Sequence, residues 1–254
     1  MRLSVITPTF NSAVTIERTI QSVLQQNHPD LQYIIIDGGS SDETLDIVRR
    51  FGEKISKLIS EPDEGIADAF NKGINLADGE LIGIINSDDE YEPDAFRHVV
   101  QAYQKRLAEN LPPAILHGNM IRQHGERVQL IRPRQWGGRD GLGVSIHFDM
   151  PINHPTSFVP RDIYEQVGQF DTTCQYCMDM DFVIRAFNAK TPFEHIPQTL
   201  ARFHVGGAST SNTLATLKEV YRVQRYNGLN PLACGFSFYG KWVVNRLKAM
   251  AGVS

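Results

Sequence analysis

The sequence predicts a doubly wound α/β domain, on three observations. Strand and helix signals alternate in units of about 25 residues through the N-terminal part of the chain. Tyr33 to Ile36 is an almost uninterrupted β-branched run, as expected of a strand covered on both faces. Polarity flips abruptly where predicted strands end, which leaves Asp37 and the pair Asp88-Asp89 at the edge where an open parallel sheet presents its ligands.

The elements follow in order. Leu3 to Thr7 is a short apolar strand ended by Pro8, and Ser12 or Thr15 can cap a helix carrying Ile16, Ile20, Val23 and Leu24. The strand at Tyr33–Ile36 leads into Gly-Gly-Ser-Ser-Asp at 38–42 and a helix through Leu45 and Val48. Ile55 to Ser60 forms a further strand. Gly65 precedes a helix with Ile66, Ala69, Phe70 and Ile74, Leu81 to Ile85 returns to strand, and a helix spans Ala95 to Ala108. Beyond it the pattern loosens. Ile115 to Gly118 reads as strand, Arg122 to Arg139 as a basic loop or hairpin, and Pro155 to Pro160 as a short strand opening toward a helix near Ile163. Asp179 to Asn188 is an amphipathic helix with Phe182, Val183, Ala186 and Phe187 on its apolar side. No repeat or interdomain linker interrupts the chain.

Composition narrows the function. With 254 residues, 41% apolar and 21% charged, the chain is an ordinary globular protein able to bury one substantial core. A net charge of -4 argues against nucleic acid as a partner. Cys174, Cys177 and Cys234, an odd number without a signal peptide, fit a reducing, cytoplasmic setting, and no second Cys pair completes a zinc site for Cys174 and Cys177. No run of 18 apolar residues offers a transmembrane span.

Adjacent carboxylates repel unless a cation or donors compensate them, so Asp88-Asp89 suggests a hard metal; the plainer reading is a turn in which one Asp caps the helix beginning near Pro93. Asp37 can accept a hydrogen bond from a base imide or a ribose hydroxyl, or serve as a turn residue, as Asp42 could. Asp68, Asn71 and Lys72 share a helix face. A solvated Asp68–Lys72 pair is the ordinary reading, and neutralisation of phosphate by Lys72 the functional one. A dinucleotide site is excluded locally, because Pro8-Thr9-Phe10-Asn11-Ser12 lacks the G-x-G-x-x-G turn.

Seven stretches carry a resemblance: SVITPTFN at 4–11, SVLQQ at 22–26, YIIIDGGSSDETLDI at 33–47, the run from Glu61 to Ala95, NHPTSFVPR at 153–161, MDMDFVIR at 178–185 and FHVGGAS at 203–209. In these the chain resembles family 2 glycosyltransferases of the GT-A fold, in particular the small bacterial polysaccharide-assembly members of the colanic-acid type. The resemblance implies a Rossmann-like mixed central sheet with helices on both faces. It implies a single catalytic domain over 1–210, whose nucleotide-binding half is 1–95 and acceptor-binding half 96–210, and a helical extension over 211–254.

By position, the resemblance implies that Asp37 reads the base, with Pro8 and Thr9 lining the nucleotide. It implies Asp89 as the direct ligand of Mn²⁺ or Mg²⁺, Asp88 near the ribose, and His204 as a third ligand to metal or diphosphate. His154 would line the acceptor side. The general base falls on Asp179, where Met178 replaces the family's usual glutamate; Asp181, about 200° around the helix, is its rival. The implied reaction is inverting, metal-dependent transfer of a hexose from a UDP-, GDP- or dTDP-sugar to a saccharide or polyprenyl-linked acceptor in surface polysaccharide synthesis. A catalytically inactive scaffold of the same fold is the alternative. Residues 235–254 carry aromatics among Lys241, Arg246 and Lys248 without an acidic residue. They suit contact with the inner face of the cell membrane, or packing on the domain or a second copy.

Overall fold

The computed structural model describes residues 1–134, 146, 150–206 and 213–250, with backbone alone at 213 and 247–250. Strands β1 (Leu3–Thr9), β2 (Leu31–Asp37), β3 (Lys57–Ser60) and β4 (Leu81–Ile84) form a parallel half-sheet in the order β3-β2-β1-β4. The sheet continues through β8 (Phe158–Pro160), β6 (Ile115–His124), β9 (Phe193–His204) and β5 (Glu90–Tyr91), with β7 (Arg127–Ile131) hairpinned onto β6. β8 runs antiparallel to β4 and β6, so the sheet is mixed. This is the GT-A arrangement that the resemblance implied.

Alternation along the central strands assigns the two faces. Leu3, Val5, Tyr33 and Ile35 point into one core with α1 (Ile16–Leu24), α2 (Thr44–Arg49) and α4 (Ala95–Ala108). Ile6, Ile34 and Ile36 point into the other, with α3 (Ile66–Leu76), α5 (Arg161–Val167), α6 (Met178–Asn188) and residues of α7 (Thr213–Tyr226) and α8 (Pro231–Met250). Each fully buried isoleucine contributes about 1.5–3 kcal/mol of transfer free energy. A three-isoleucine run between two helix layers therefore fixes β2 in the interior of the parallel half-sheet, between β3 and β1. Gly83 lies opposite Phe158 in the β4–β8 ladder, where a Cβ would come within 2.6 Å of the Phe158 ring. Only glycine lets those strands meet.

Several boundaries differ from the sequence reading. β2 gains residues at both ends and β6 runs on to His124. The Ile55 end of the third predicted strand is displaced by a 3₁₀ turn at Gly52–Lys54. Of Arg122 to Arg139, the first part is the β6–β7 hairpin and the part from 135 lies outside the described residues. β5 and the twelve-residue β9 were not anticipated. Neither Ser12 nor Thr15 caps α1 with its side chain; the Ser12 carbonyl accepts the Thr15 and Ile16 N–H groups instead.

Candidate active site

Three strand ends are knitted together at one edge of the sheet. Asn11, after β1, accepts the Ser41 N–H at 2.9 Å and donates its own N–H to Ser40 Oγ at 2.8 Å. Ser12 donates its N–H to Thr44 Oγ1 and pairs its hydroxyl with Ser87 Oγ at 2.8 Å. The motifs after β1, β2 and β4 thus form one hydrogen-bonded rim, which explains their polar, small composition.

Asp37 ends β2 opposite Thr9 and is fully buried. Its carboxylate accepts the N–H groups of Gly39 and Ser40 and the hydroxyls of Ser40 and Ser60. Gly39, at φ +86°, supplies the left-handed turn that aims those donors. Asp37 therefore organises the turn, and most of its acceptor capacity is filled. Pro8 and Thr9 are buried beside it, and Thr9 Oγ1 has no partner among the described residues.

At the end of β4, Asp89 is fully buried. Oδ1 accepts the main-chain N–H of His204 at 3.1 Å, whereas Oδ2 has no partner among the described residues. Burial, with Asp88 adding repulsion, pushes the Asp89 carboxyl up to about 8, against the partial relief given by the His204 N–H. Asp88 is half-buried and also raised, chiefly by burial, with Arg18 opposing. Arg18 donates to the Asp88 carbonyl at 2.7 Å and Thr19 to the Asp89 carbonyl at 2.7 Å, so α1 fixes the backbone of the pair. Neither carboxylate caps the next helix, whose N-cap is Asp94. A buried carboxylate oxygen without a donor, beside a second carboxylate, is a donor set that fits a hard divalent cation.

Two expected site residues are engaged differently. His204 meets Asp89 through its backbone, and its ring Nε2 lies 2.7 Å from Glu90 Oε1. As a metal ligand it would have to use Nδ1. Lys72 is held by Asp68 at 3.1 Å and Glu61 at 2.9 Å. The i, i+4 pair expected from spacing forms, and a phosphate would have to compete with two carboxylates for Lys72.

Asp179 opens α6 and borders a cleft of about 610 Å³ together with His154, Asn86, Phe70 and Arg122. Its Oδ1 accepts the Met180 N–H at 2.8 Å. His154 stacks on Phe70, ring centroids 5.4 Å apart; burial pulls its pKa down while Asp179 pulls it up. Asp181 turns the other way. It is buried and takes Arg185 Nε at 2.7 Å and Asn227 Nδ2 at 2.8 Å. One oxygen is taken by Arg185 of its own helix and the other by Asn227 just after α7, so both oxygens of Asp181 are engaged away from the cleft that Asp179 borders. Sequence reading missed Glu219 on α7, whose carboxylate accepts the N–H groups of Gln175, Tyr176 and Cys177 just before α6. It also missed Arg18. No motif marks either residue. Cys174 and Cys177 are buried free thiols, both pushed upward mainly by burial, unlike redox cysteines.

Residues 4–168 match the family model described as Glycosyl transferase family 2. The chain belongs to glycosyl transferase family 2. It is 27% identical over 226 residues to an uncharacterized glycosyltransferase of Rickettsia prowazekii, covering 86% of this chain and 69% of that protein. It is 29% identical over 189 residues to a PGL/p-HBAD biosynthesis glycosyltransferase of Mycobacterium bovis, covering 73% and 69%. The S. aureus TarS 1-349 structure in complex with UDP-GlcNAc superposes with a TM-score of 0.70 at 17% identity, over 98% of this chain and 73% of that one. The mannosyltransferase PcManGT from Pyrobaculum calidifontis, in complex with GDP-Man and Mn²⁺, gives 0.67 at 19% identity, over 100% and 76%. In a longer TarS structure this chain spans 42% of the length. The family 2 protein is a glycosyltransferase enzyme with the GT-A fold. Among its described residues no helix is long and apolar enough to cross a membrane.

Proposed function

We propose that this glycosyltransferase moves a hexose from a nucleoside diphosphate sugar to a hydroxyl of a saccharide or lipid-linked acceptor in surface polysaccharide synthesis, with inversion at the anomeric carbon. The observation that carries the reading is the buried Asp89 Oδ2, left without a partner beside Asp88 at the end of β4. Asp89, helped by Asp88, would hold Mn²⁺ or Mg²⁺, and the cation when bound supplies positive charge to the leaving diphosphate. The neighbours in complex with UDP-GlcNAc and with GDP-Man and Mn²⁺ support a nucleotide-sugar donor at this edge. Thr9 Oγ1, unpartnered, and Asp37, through its remaining lone pair, face the nucleotide in this reading, with Pro8 packed beneath.

Asp179 is the general base. Its position on the cleft suits removal of the acceptor's proton as the hydroxyl attacks the sugar face opposite the leaving group. The Met180 N–H holds the carboxylate in place. One protein carboxylate is enough, because the departing nucleotide needs charge stabilisation rather than a protein acid. The inactive-scaffold alternative draws on Met178, which cannot orient a base as a carboxylate would. Glu219, bonded to the turn before α6, provides that orientation from another element.

The test is a screen of UDP-, GDP- and dTDP-sugars for cation-dependent thermal stabilisation and hydrolysis. One nucleotide class should stabilise the wild-type protein, and Asp89→Asn should remove the cation dependence. Indifference to all three classes with Mn²⁺ and Mg²⁺ present would defeat the proposal.

A further inference from the structure

We propose that the cleft beside Asp179 takes an acceptor bearing a phosphate-class anion, recognised by Arg122 and Arg132 on the β6–β7 hairpin. This rests on the transferase reading above and names its acceptor class. Among the described residues the cleft is lined by Arg122, Arg132 and Arg134 against one carboxylate, Asp179, in a chain whose net charge is -4. The local sign is opposite to that of the molecule.

The described residues give the Arg122 and Arg132 side chains no partner. Arg202, on the same sheet, is paired with Glu92 and also donates to Gln123 Oε1; Arg106 is paired with Glu194, and Arg185 with Asp181. The guanidinium groups of Arg122 and Arg132 make no hydrogen bond or ion pair with any described residue. The ladders place Arg122 beside apolar residues of the same cleft, Met120, Ile131 and Phe203. Met120 pairs with Ile131, and Arg122, two positions along the same face, lies opposite Phe203 of β9. A planar guanidinium fork matches phosphate oxygens, and its charge-assisted bonds are strongest beside apolar walls that exclude water. The donor's own diphosphate is a poorer fit. Asp37, Asp88 and Asp89 do not border this cleft, and Asn86 alone joins it to the strand-end rim.

The experiment uses the full chain with the nucleoside diphosphate and cation that stabilise it present at saturation, so that the donor side is filled. Dodecyl phosphate, neutral dodecyl glucoside and inorganic phosphate are titrated by calorimetry below micelle-forming concentrations. Dodecyl phosphate should bind at least about tenfold more tightly than the glucoside. The R122A/R132A protein should lose that preference while keeping its nucleotide affinity and melting temperature. Inorganic phosphate binding as tightly as dodecyl phosphate supports the anion reading with a free anion rather than a lipid headgroup as its source. Equal affinity for the charged and neutral amphiphiles overturns the proposal, as does a preference that survives in R122A/R132A. Lost nucleotide affinity in that variant also overturns it, by assigning the arginines to the donor. R122Q/R132Q serves if the alanine protein does not fold. If no nucleotide binds, the transferase reading fails, yet the titration without nucleotide still decides the anion preference.

Discussion

The backbone N–H of His204 donates to Asp89 Oδ1 at 3.1 Å, joining positions 115 residues apart. Half of one carboxylate is thereby fixed by the far strand, and the other oxygen is left bare. Asp89→Asn keeps an acceptor for His204 but removes the charge a cation needs. Turnover should fall by about 10²–10³-fold or more in Mn²⁺ or Mg²⁺, with little change in melting temperature. A folded D89N protein with near-normal turnover at low metal would sink the assignment.

Asp179 and Asp181 should separate cleanly. Asp179→Asn is expected to lower turnover with the true acceptor by about 10²–10⁴-fold while sparing donor binding. Asp181→Asn breaks a buried pair with Arg185 and should cost about 3–5 kcal/mol of stability. Denaturant melts beside kinetics check both. If D179N turns over like the wild type, another group is the base.

Glu219 acts on the base through the chain that carries it. Burial alone would raise its pKa, but the N–H groups of Tyr176, Gln175 and Cys177 outweigh burial and lower it. Glu219→Ala should reduce kcat by about tenfold, through misplacement of the turn before α6, with donor affinity unchanged. Glu219→Gln, which keeps an acceptor, should recover part of the loss. Wild-type kcat in a folded E219A protein would remove the positioning role.

His117 gives the acid limb of stability. It is buried in β6 beside the His195 ring, and burial, then His195, hold its pKa at about 3 against an ordinary 6.5. Between those values the unfolded chain binds a proton that the folded protein refuses. Its contribution is therefore complete above about 6.5 and is lost as pH falls toward 3. Urea melts of wild type and His117→Leu over this window should show a shallower decline in the variant. Parallel declines would contradict this.

The last helix offers a surface test. Leu232, Phe236 and Tyr239 are exposed on α8 at helical spacing, and residues 231–250 contain no acidic side chain. Phe236 and Tyr239 do not pack against the domain, as one sequence reading allowed. Full-length protein should bind anionic liposomes, while F236S/Y239S and a 1–234 truncation should bind less. Undiminished binding by the folded point variant defeats membrane contact, and a concentration-dependent dimer lost in that variant would assign the face to a second copy.

The N-terminal half was legible because its signals are local. Continuously buried apolar runs in β1 and β2, apolar stripes in α1 and α3, and abrupt polarity at Asp37 and Asp88 are written within short windows of chain. β9 was not legible. It contains Pro197, its burial does not alternate, and its ladder with β6 shifts register near Gly118 and Asn119. A strand held by long-range pairing rather than by pattern leaves no periodic trace. The same division runs through the site. Which carboxylates stand at strand ends, and that Asp179 opens a helix, the sequence determined by itself. That Asp89 keeps one oxygen unpartnered, that Asp181 is consumed by Arg185 and Asn227, and that Glu219 holds the turn before the base were decided only by tertiary structure. A residue's type and periodicity are local properties of the chain, whereas its hydrogen-bond partner is set by whichever distant element the packed core brings beside it.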